Sequence, residues 1–112
     1  DRIKDMIVSG GENIYSTEVE AALFAHPDVI DAAVIGVPDE KYGEVVKACI
    51  VKKEGSKINE EDLINFCKDR IASYKKPQSI DFIDEVPRNA SGKVLKKVLR
   101  EPYWKGQDRQ VS

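Results

Sequence analysis

Histidine, methionine and tryptophan each occur once in 112 residues, and cysteine only twice. With no cysteine or histidine cluster at ligand spacing, nothing suggests a structural metal site. Cys49 and Cys67 lie far apart and form no C-x-x-C pair, so two free buried thiols are expected rather than a disulfide framework. No apolar run approaches the ~18 residues of a membrane span, and no signal-peptide pattern is present. Repeats and low-complexity tracts are absent. The formal net charge is only −2, which excludes the strong overall field of a nucleic-acid or acidic-membrane binder.

What is present is ordinary for one globular domain: 41% apolar and 34% charged residues. At this length folding buries roughly 65% of the unfolded chain's surface, enough for one modest core. Charge is uneven along the chain. Residues 75–105 hold eight Lys/Arg against four acids, a local balance of +4 that leaves −6 for the remainder. A local anion-binding face is expected there. The chain begins with Asp1 rather than Met, inside a charged motif, which reads as the start of a segment taken from a longer protein.

Periodicity and punctuation predict the elements. Ile3 to Val8 reads as a strand entering the turn Ser9-Gly10-Gly11. A helix follows, with Ser16 or Thr17 as cap, Thr17 and Glu20 at capping-box spacing, and Pro27 as its stop. Val29–Val37 and Glu44–Lys52 read as buried strands of a hairpin around Pro38–Gly43. Asn59 caps a second helix running to Tyr74, with Leu63, Phe66, Cys67 and Ile71 on its apolar face. Glu60, Glu61 and Asp62 are its first turn, matched to the helix dipole, rather than a carboxylate pair. Ile80–Ile83 is a short third strand, and Lys93–Leu99 a last helix ended by Pro102. His26 suits a cap or surface role, and Trp104 the packing of a tail. The fold class is α+β: a small three-stranded sheet plus a short N-terminal strand or hairpin, with three helices packed on it.

Two stretches carry candidate chemistry. In residues 1–20, DRIKDMIVSGGENIYSTEVE, the paired glycines serve either as plain turn residues or as a place where a ligand approaches the backbone closely. In residues 87–97, PRNASGKVLKK, Lys93 follows a mobile glycine-containing loop. It is either a solvated first-turn lysine or a movable point charge for a phosphate. The loop lacks G-x-x-x-x-G-K-S/T spacing and is not a P-loop.

Taken together with VIGVPDEKYGE and YKKP between them, these stretches resemble the end of the adenylate-forming superfamily, in its acyl-CoA synthetase branch. The resemblance covers essentially residues 1–100. It implies that the 112 residues are a single mobile C-terminal (cap) domain, and that an N-terminal domain binding ATP, Mg2+ and the carboxylic acid lies elsewhere. Such enzymes join an acid to AMP, then exchange AMP for the thiol of CoA, and the small domain turns between the two half-reactions. The resemblance implies that Lys93 reaches the ATP site during adenylation, that Lys4 is the hinge, and that Arg2 joins the linker network near the ribose. It places Gly10, Gly11 and Glu12 on the CoA passage, Tyr42 beside the CoA arm, and Lys75 and Lys76 near the CoA nucleotide's phosphates.

The isolated segment, lacking the phosphate loop and the magnesium-binding acid, is expected not to adenylate alone. The expected partners are the enzyme's own N-terminal domain, ATP, acid and CoA, with no nucleic acid and no transmembrane segment; a cytoplasmic location follows from the thiols and the substrates. A free-standing binding module of the same fold remains the alternative. Nucleic-acid binding through residues 75–105 is disfavoured by net acidity and by the absence of interleaved aromatics. The identity of the acid lies outside this stretch of sequence.

Overall fold

The computed structural model describes residues 6–105. Arg2 and Lys4 therefore lie outside the described residues. Five strands and three helices are laid out as β1 (Met6–Ser9), β2 (Glu12–Tyr15), α1 (Ser16–Phe24), β3 (Val29–Asp39), β4 (Gly43–Lys52), α2 (Glu60–Lys68), β5 (Ser79–Phe82) and α3 (Lys96–Trp104). A single turn of 3-10 helix, Ser73–Lys75, precedes β5.

The β3–β4 hairpin is the middle of the molecule. Its pairing runs from Val29↔Lys52 to Asp39↔Gly43, with one bulge between Val29 and Asp31. Both strands are buried over a run of residues (32–37 and 46–50), because both faces are covered. Ala32, Val34, Val46, Ala48 and Ile50 face one core with Val19 and Leu23 of α1 and Leu63 and Cys67 of α2. Ile35, Val37 and Cys49 face the other, against Leu99 and Tyr103 of α3. Three layers result, with α1 and α2 on one side of the sheet and α3 on the other. The near-continuous apolar runs in these strands are the sequence counterpart of that double coverage.

β4 carries two short neighbours along its second edge. β5 runs parallel to it from Lys47↔Ser79 to Ile50↔Phe82. β1 meets it antiparallel at Ser9↔Gly43 and continues into the β1–β2 hairpin. The expected α+β class is thus present, with the N-terminal hairpin joined to the main sheet. Both cysteines are free and buried.

Several expected boundaries shift, each for a physical reason. α2 is capped as read: Asn59 accepts from the Asp62 N–H at 2.8 Å, and Asp62 accepts from the Asn59 N–H at 3.2 Å. It stops at Lys68 rather than Tyr74, because the chain must turn back to set Ser79 beside Lys47. The capping box of Thr17 and Glu20 does not form. Tyr15 takes the N-cap position without a side-chain cap, and the Glu20 carboxylate is spent on a β3 N–H and on Lys96. α3 begins at Lys96, not Lys93, since Val94 is bridged to Arg88 in an extended pair. Pro102 lies inside α3 instead of ending it. The residues just beyond it are held from outside the helix: Tyr103 donates to Asp81, and Trp104 donates from Nε1 to the Gly36 carbonyl at 2.9 Å.

Among the described residues β3 has no strand partner on its outer edge, yet several of its backbone groups there have side-chain partners. Ala32 N–H donates to Asp31, Val34 N–H donates to Glu20 at 2.9 Å, and the Gly36 carbonyl receives Trp104. On β5 the Ile80 N–H is taken by Glu60 at 2.8 Å. Helix side chains thus stand in for missing strands.

Leu63 is fully buried between α2 and the sheet, whereas Ile30, at the bulge, is 59% exposed. Leu63→Ala should cost about 2–5 kcal/mol in urea unfolding, while Ile30→Ala should stay within about 0.5 kcal/mol of the parent.

Candidate functional site

Four of the expected CoA-side residues, Gly10, Gly11, Glu12 and Tyr42, gather at one end of the sheet. Ser9 pairs with Glu12 across a two-residue loop, Gly10-Gly11, with φ of 58° and 88°. Two consecutive positive φ values make a type I′ hairpin turn, which glycine enters without steric cost. The turn rests on the β3–β4 loop: the Gly10 N–H donates to the Tyr42 carbonyl at 2.9 Å. That loop is shaped by Asp39, whose Oδ2 accepts the N–H groups of Lys41 (3.0 Å) and Tyr42 (2.9 Å). The Tyr42 ring then lies across Gly10, where an added Cβ would stand 3.0 Å from Cδ1. At Gly11 an added Cβ would meet nothing within 4 Å. Glu12 and Tyr42 are exposed, Tyr42 at 45%. Gly10, Gly11, Glu12 and Tyr42 therefore form one surface, open above Gly11.

Lys93 is elsewhere. It sits on a miniature hairpin, residues 87–95, rather than in a helix's first turn. Leu95 N–H donates to the Pro87 carbonyl, and Asn89 N–H to the Lys93 carbonyl. The Asn89 side chain accepts from Ser91 N, Ser91 Oγ and Lys93 N at 2.9–3.0 Å. Gly92 N–H closes the turn onto the Asn89 carbonyl at 2.9 Å, with φ of 89°. This is a type I turn followed by a left-handed glycine. The glycine loop expected to be mobile is tied internally by these bonds. Lys93 is exposed on it.

Lys75 ends the 3-10 turn and Lys76 follows it. Lys75 pairs with Glu18 at 2.8 Å, and the hydrogen bond to that carboxylate raises its pKa. Lys76 Nζ reaches the Ser73 carbonyl at 3.4 Å. The structure thus brings the glycines, Glu12 and Tyr42 together, gives Lys93 its own loop, and ties Lys75 to α1.

Five residues to which sequence reasoning gave no such role hold the Lys93 loop: Arg88, Asp31, Lys96, Ser16 and Glu20. Arg88 makes a two-pronged ion pair with Asp31 at 2.5 and 3.1 Å. Lys96 donates to Ser16 Oγ at 2.9 Å and Glu20 Oε2 at 2.7 Å. On the α3 face, Lys47 pairs with Asp81 at 3.0 Å and lies over the Tyr103 ring. Burial, together with the Asp81 hydrogen bond and charge, pushes Tyr103 up to about 12. Burial raises both thiols to about 11, Cys49 with help from the Asp81 charge, so neither suits nucleophilic chemistry. His26 closes the end of α1 through Nδ1, which accepts the Asp28 N–H at 3.0 Å, and it packs edge-on against Phe66. Among the described residues no group of three His, Cys, Asp or Glu could hold a metal ion, and no helix is long and apolar enough to cross a membrane.

Two outcomes follow from this geometry. Gly10→Ala and Gly11→Ala should each cost about 1–2 kcal/mol for the left-handed backbone, with Gly10→Ala the worse. Adding Tyr42→Ala should close that gap, measured by denaturant unfolding of the four variants. Acid should weaken the Asp31 contact. The Arg88 hydrogen bond holds Asp31 below its ordinary 3.8 against the opposing effect of burial. Its contribution is complete above 3.8 and is lost as pH falls through the lower folded-state value. Asp31→Asn should flatten that part of the stability–pH curve.

Residues 18–93 match the family described as AMP-binding enzyme C-terminal domain. The chain is 54% identical over 101 residues to a substituted indenylpropanoyl:CoA ligase of Rhodococcus jostii (strain RHA1), covering 90% of this chain and 20% of that one. It is 50% identical over 103 residues to a feruloyl-CoA synthase of Amycolatopsis sp, covering 92% and 21%. It superposes on the Mycobacterium tuberculosis fatty acyl CoA synthetase with a TM-score of 0.86 at 47% identity, covering 92% of this chain and 20% of that chain. The chain thus spans about a fifth of the length of these relatives. With a profile match over most of its length, relatives at half identity and a shared fold, the chain belongs to the AMP-binding enzyme C-terminal domain family.

Proposed function

We propose that this domain is the C-terminal part of an AMP-forming acyl-CoA ligase, and that it serves both half-reactions from two different surfaces. In adenylation, Lys93 offsets the negative charge that develops between the α-phosphate and the attacking carboxylate. In thioester formation, Gly10, Gly11 and Glu12 line the path of the CoA arm with Tyr42 beside it. Lys75 and Lys76 lie toward the CoA nucleotide's phosphates. ATP and Mg2+ are held mainly by the N-terminal domain, and Lys4, with Arg2 beside it, forms the hinge. The segment alone is inactive.

The observation that carries this reading is the separation of the two surfaces along β3. The Lys93 loop is anchored at Asp31, and the glycine–tyrosine surface is built on Asp39. Those residues are eight apart on one strand, roughly 26 Å at strand rise. That separation supports a domain that turns to present each surface in its own half-reaction, and the internal hydrogen bonding of both turns suits motion as a rigid body.

Full-length ligase carrying Lys93→Ala should lose adenylation by about 10²–10³-fold in pyrophosphate exchange, while forming thioester from supplied acyl-adenylate at near-parental rate. Gly11→Trp should do the reverse, since its side chain would project into the open space above the turn. Equal loss of both half-reactions in the Lys93 variant would sink the assignment.

A further inference from the structure

The internal bonds of residues 87–95 fix the shape of the Lys93 loop but not its tilt. Three of its backbone hydrogen bonds, Asn89 to Lys93, Gly92 to Asn89 and Leu95 to Pro87, stay within the loop, and the Leu95 carbonyl accepts the Val98 N–H of α3. Val86 is buried at its entrance, and apolar burial is non-directional. Two ion pairs, one beside each arm, add direction. On the first arm Arg88 grips Asp31 with both prongs of its guanidinium, a geometry that resists rotation as well as separation. Asp31 sits where the β3–β4 register slips by one residue, and its Oδ1 also accepts the Ala32 N–H, so its carboxylate is itself oriented. A bulge re-aims side chains on an edge strand. On the second arm Lys96 is held by Ser16 and Glu20 of α1, and Glu20 is held in turn by the Val34 N–H of β3. Both arms are therefore referenced to β3, the strand at whose far end the glycine–tyrosine surface stands.

We infer that Asp31 and Arg88 are positioning residues for adenylation: they set the angle at which Lys93 is presented, and act on that half-reaction alone. The proposal rests on the adenylation role given to Lys93. Displacing a reacting group by about 1 Å is enough to cost on the order of 10²-fold. The side chains of Arg88 and Asp31 are 38% and 21% exposed and belong to neither core, so their loss leaves both cores intact.

The test is a double-mutant cycle in the full-length ligase, with Arg88→Ala, Asp31→Ala, the double variant, and Lys93→Ala as reference. Pyrophosphate exchange and thioester formation from supplied acyl-adenylate are measured for each, together with the thermal midpoint. Each single variant should slow exchange by about tenfold or more, the double variant should be no slower than the worse single, and thioester formation should hold within about twofold. Arg88→Lys, which keeps the charge but not the fork, should recover only part of the exchange rate. Asp31→Asn serves as the near-isosteric check where an alanine variant folds poorly. Unchanged exchange in the Arg88 and Asp31 variants, multiplicative losses in the double variant, or parallel loss of both half-reactions overturns the positioning role. Normal exchange in Lys93→Ala overturns the proposed function and this inference with it. Lost exchange in Lys93→Ala with normal exchange in the pair variants overturns the inference alone.

Discussion

One carboxylate oxygen joins the three layers. Glu20 Oε2, on α1, accepts both the Val34 N–H of β3 and the ammonium of Lys96 on α3. The backbone donor and the cation converge on a site where the Glu20 and Lys96 side chains are largely shielded from water, so both contacts are charge-assisted hydrogen bonds of the stronger kind. A carboxylate in such a place is tolerated only because its partners are in position, and removing either partner leaves an uncompensated charge. α3 crosses to the sheet face opposite α1, and this contact is what spans the sheet's edge between them. The start of α3, and with it one arm of the Lys93 loop, is located by the same oxygen.

The hairpin of β3 and β4 supplies the rigidity that the two functional surfaces share. Its strands are packed from above and below, so neither face is free to flex against solvent. A lysine in the middle of such a strand needs a reason. Lys47 is accommodated by Asp81 on β5 and by the Tyr103 ring on α3. That group ties a parallel edge strand to the last helix across a face otherwise filled by Ile35, Val37 and Cys49. The polar contacts at Glu20 and at Asp81 therefore attach α3 at its two ends, with the Leu99 contact between them.

Much of this was legible in the sequence, and what was not has a common cause. The apolar runs of β3 and β4 and the Asn59 cap depend on residues a few positions apart and stand where expected; the hairpin turn falls within Pro38–Gly43 but is shorter, because Pro38 and Asp39 pair with Glu44 and Gly43. The glycine–tyrosine surface could be named from the resemblance, though its type I′ geometry and the Tyr42 ring over Gly10 needed coordinates. The errors came where a distant partner outbid a local one. Thr17 and Glu20 have capping-box spacing, but Lys96, 76 residues on, takes the carboxylate. Pro102 reads as a stop, yet the helix runs on to Trp104, whose indole is held by Gly36, 68 residues before it. Arg88 and Asp31 are 57 residues apart, and neither carries a local signal of the other. Local rules describe the isolated segment, and tertiary contacts of this kind are added only on folding.

The outer edge of β3 holds a further meaning. Eleven residues of strand, rich in valine, isoleucine and alanine, run along the molecule's side with their outward hydrogen-bonding groups covered by side chains from α1 and α3 rather than by a neighbouring strand. Such an edge, once uncovered, is a template for strand addition by another chain. Two of its three covers, Glu20 and Trp104, belong to elements that also locate the Lys93 loop or close the helix beside it. A chain cut short before Trp104 would therefore lose more than an anchored tail: it would free the Gly36 carbonyl in the middle of this edge, the point at which a strand from another copy could begin to pair.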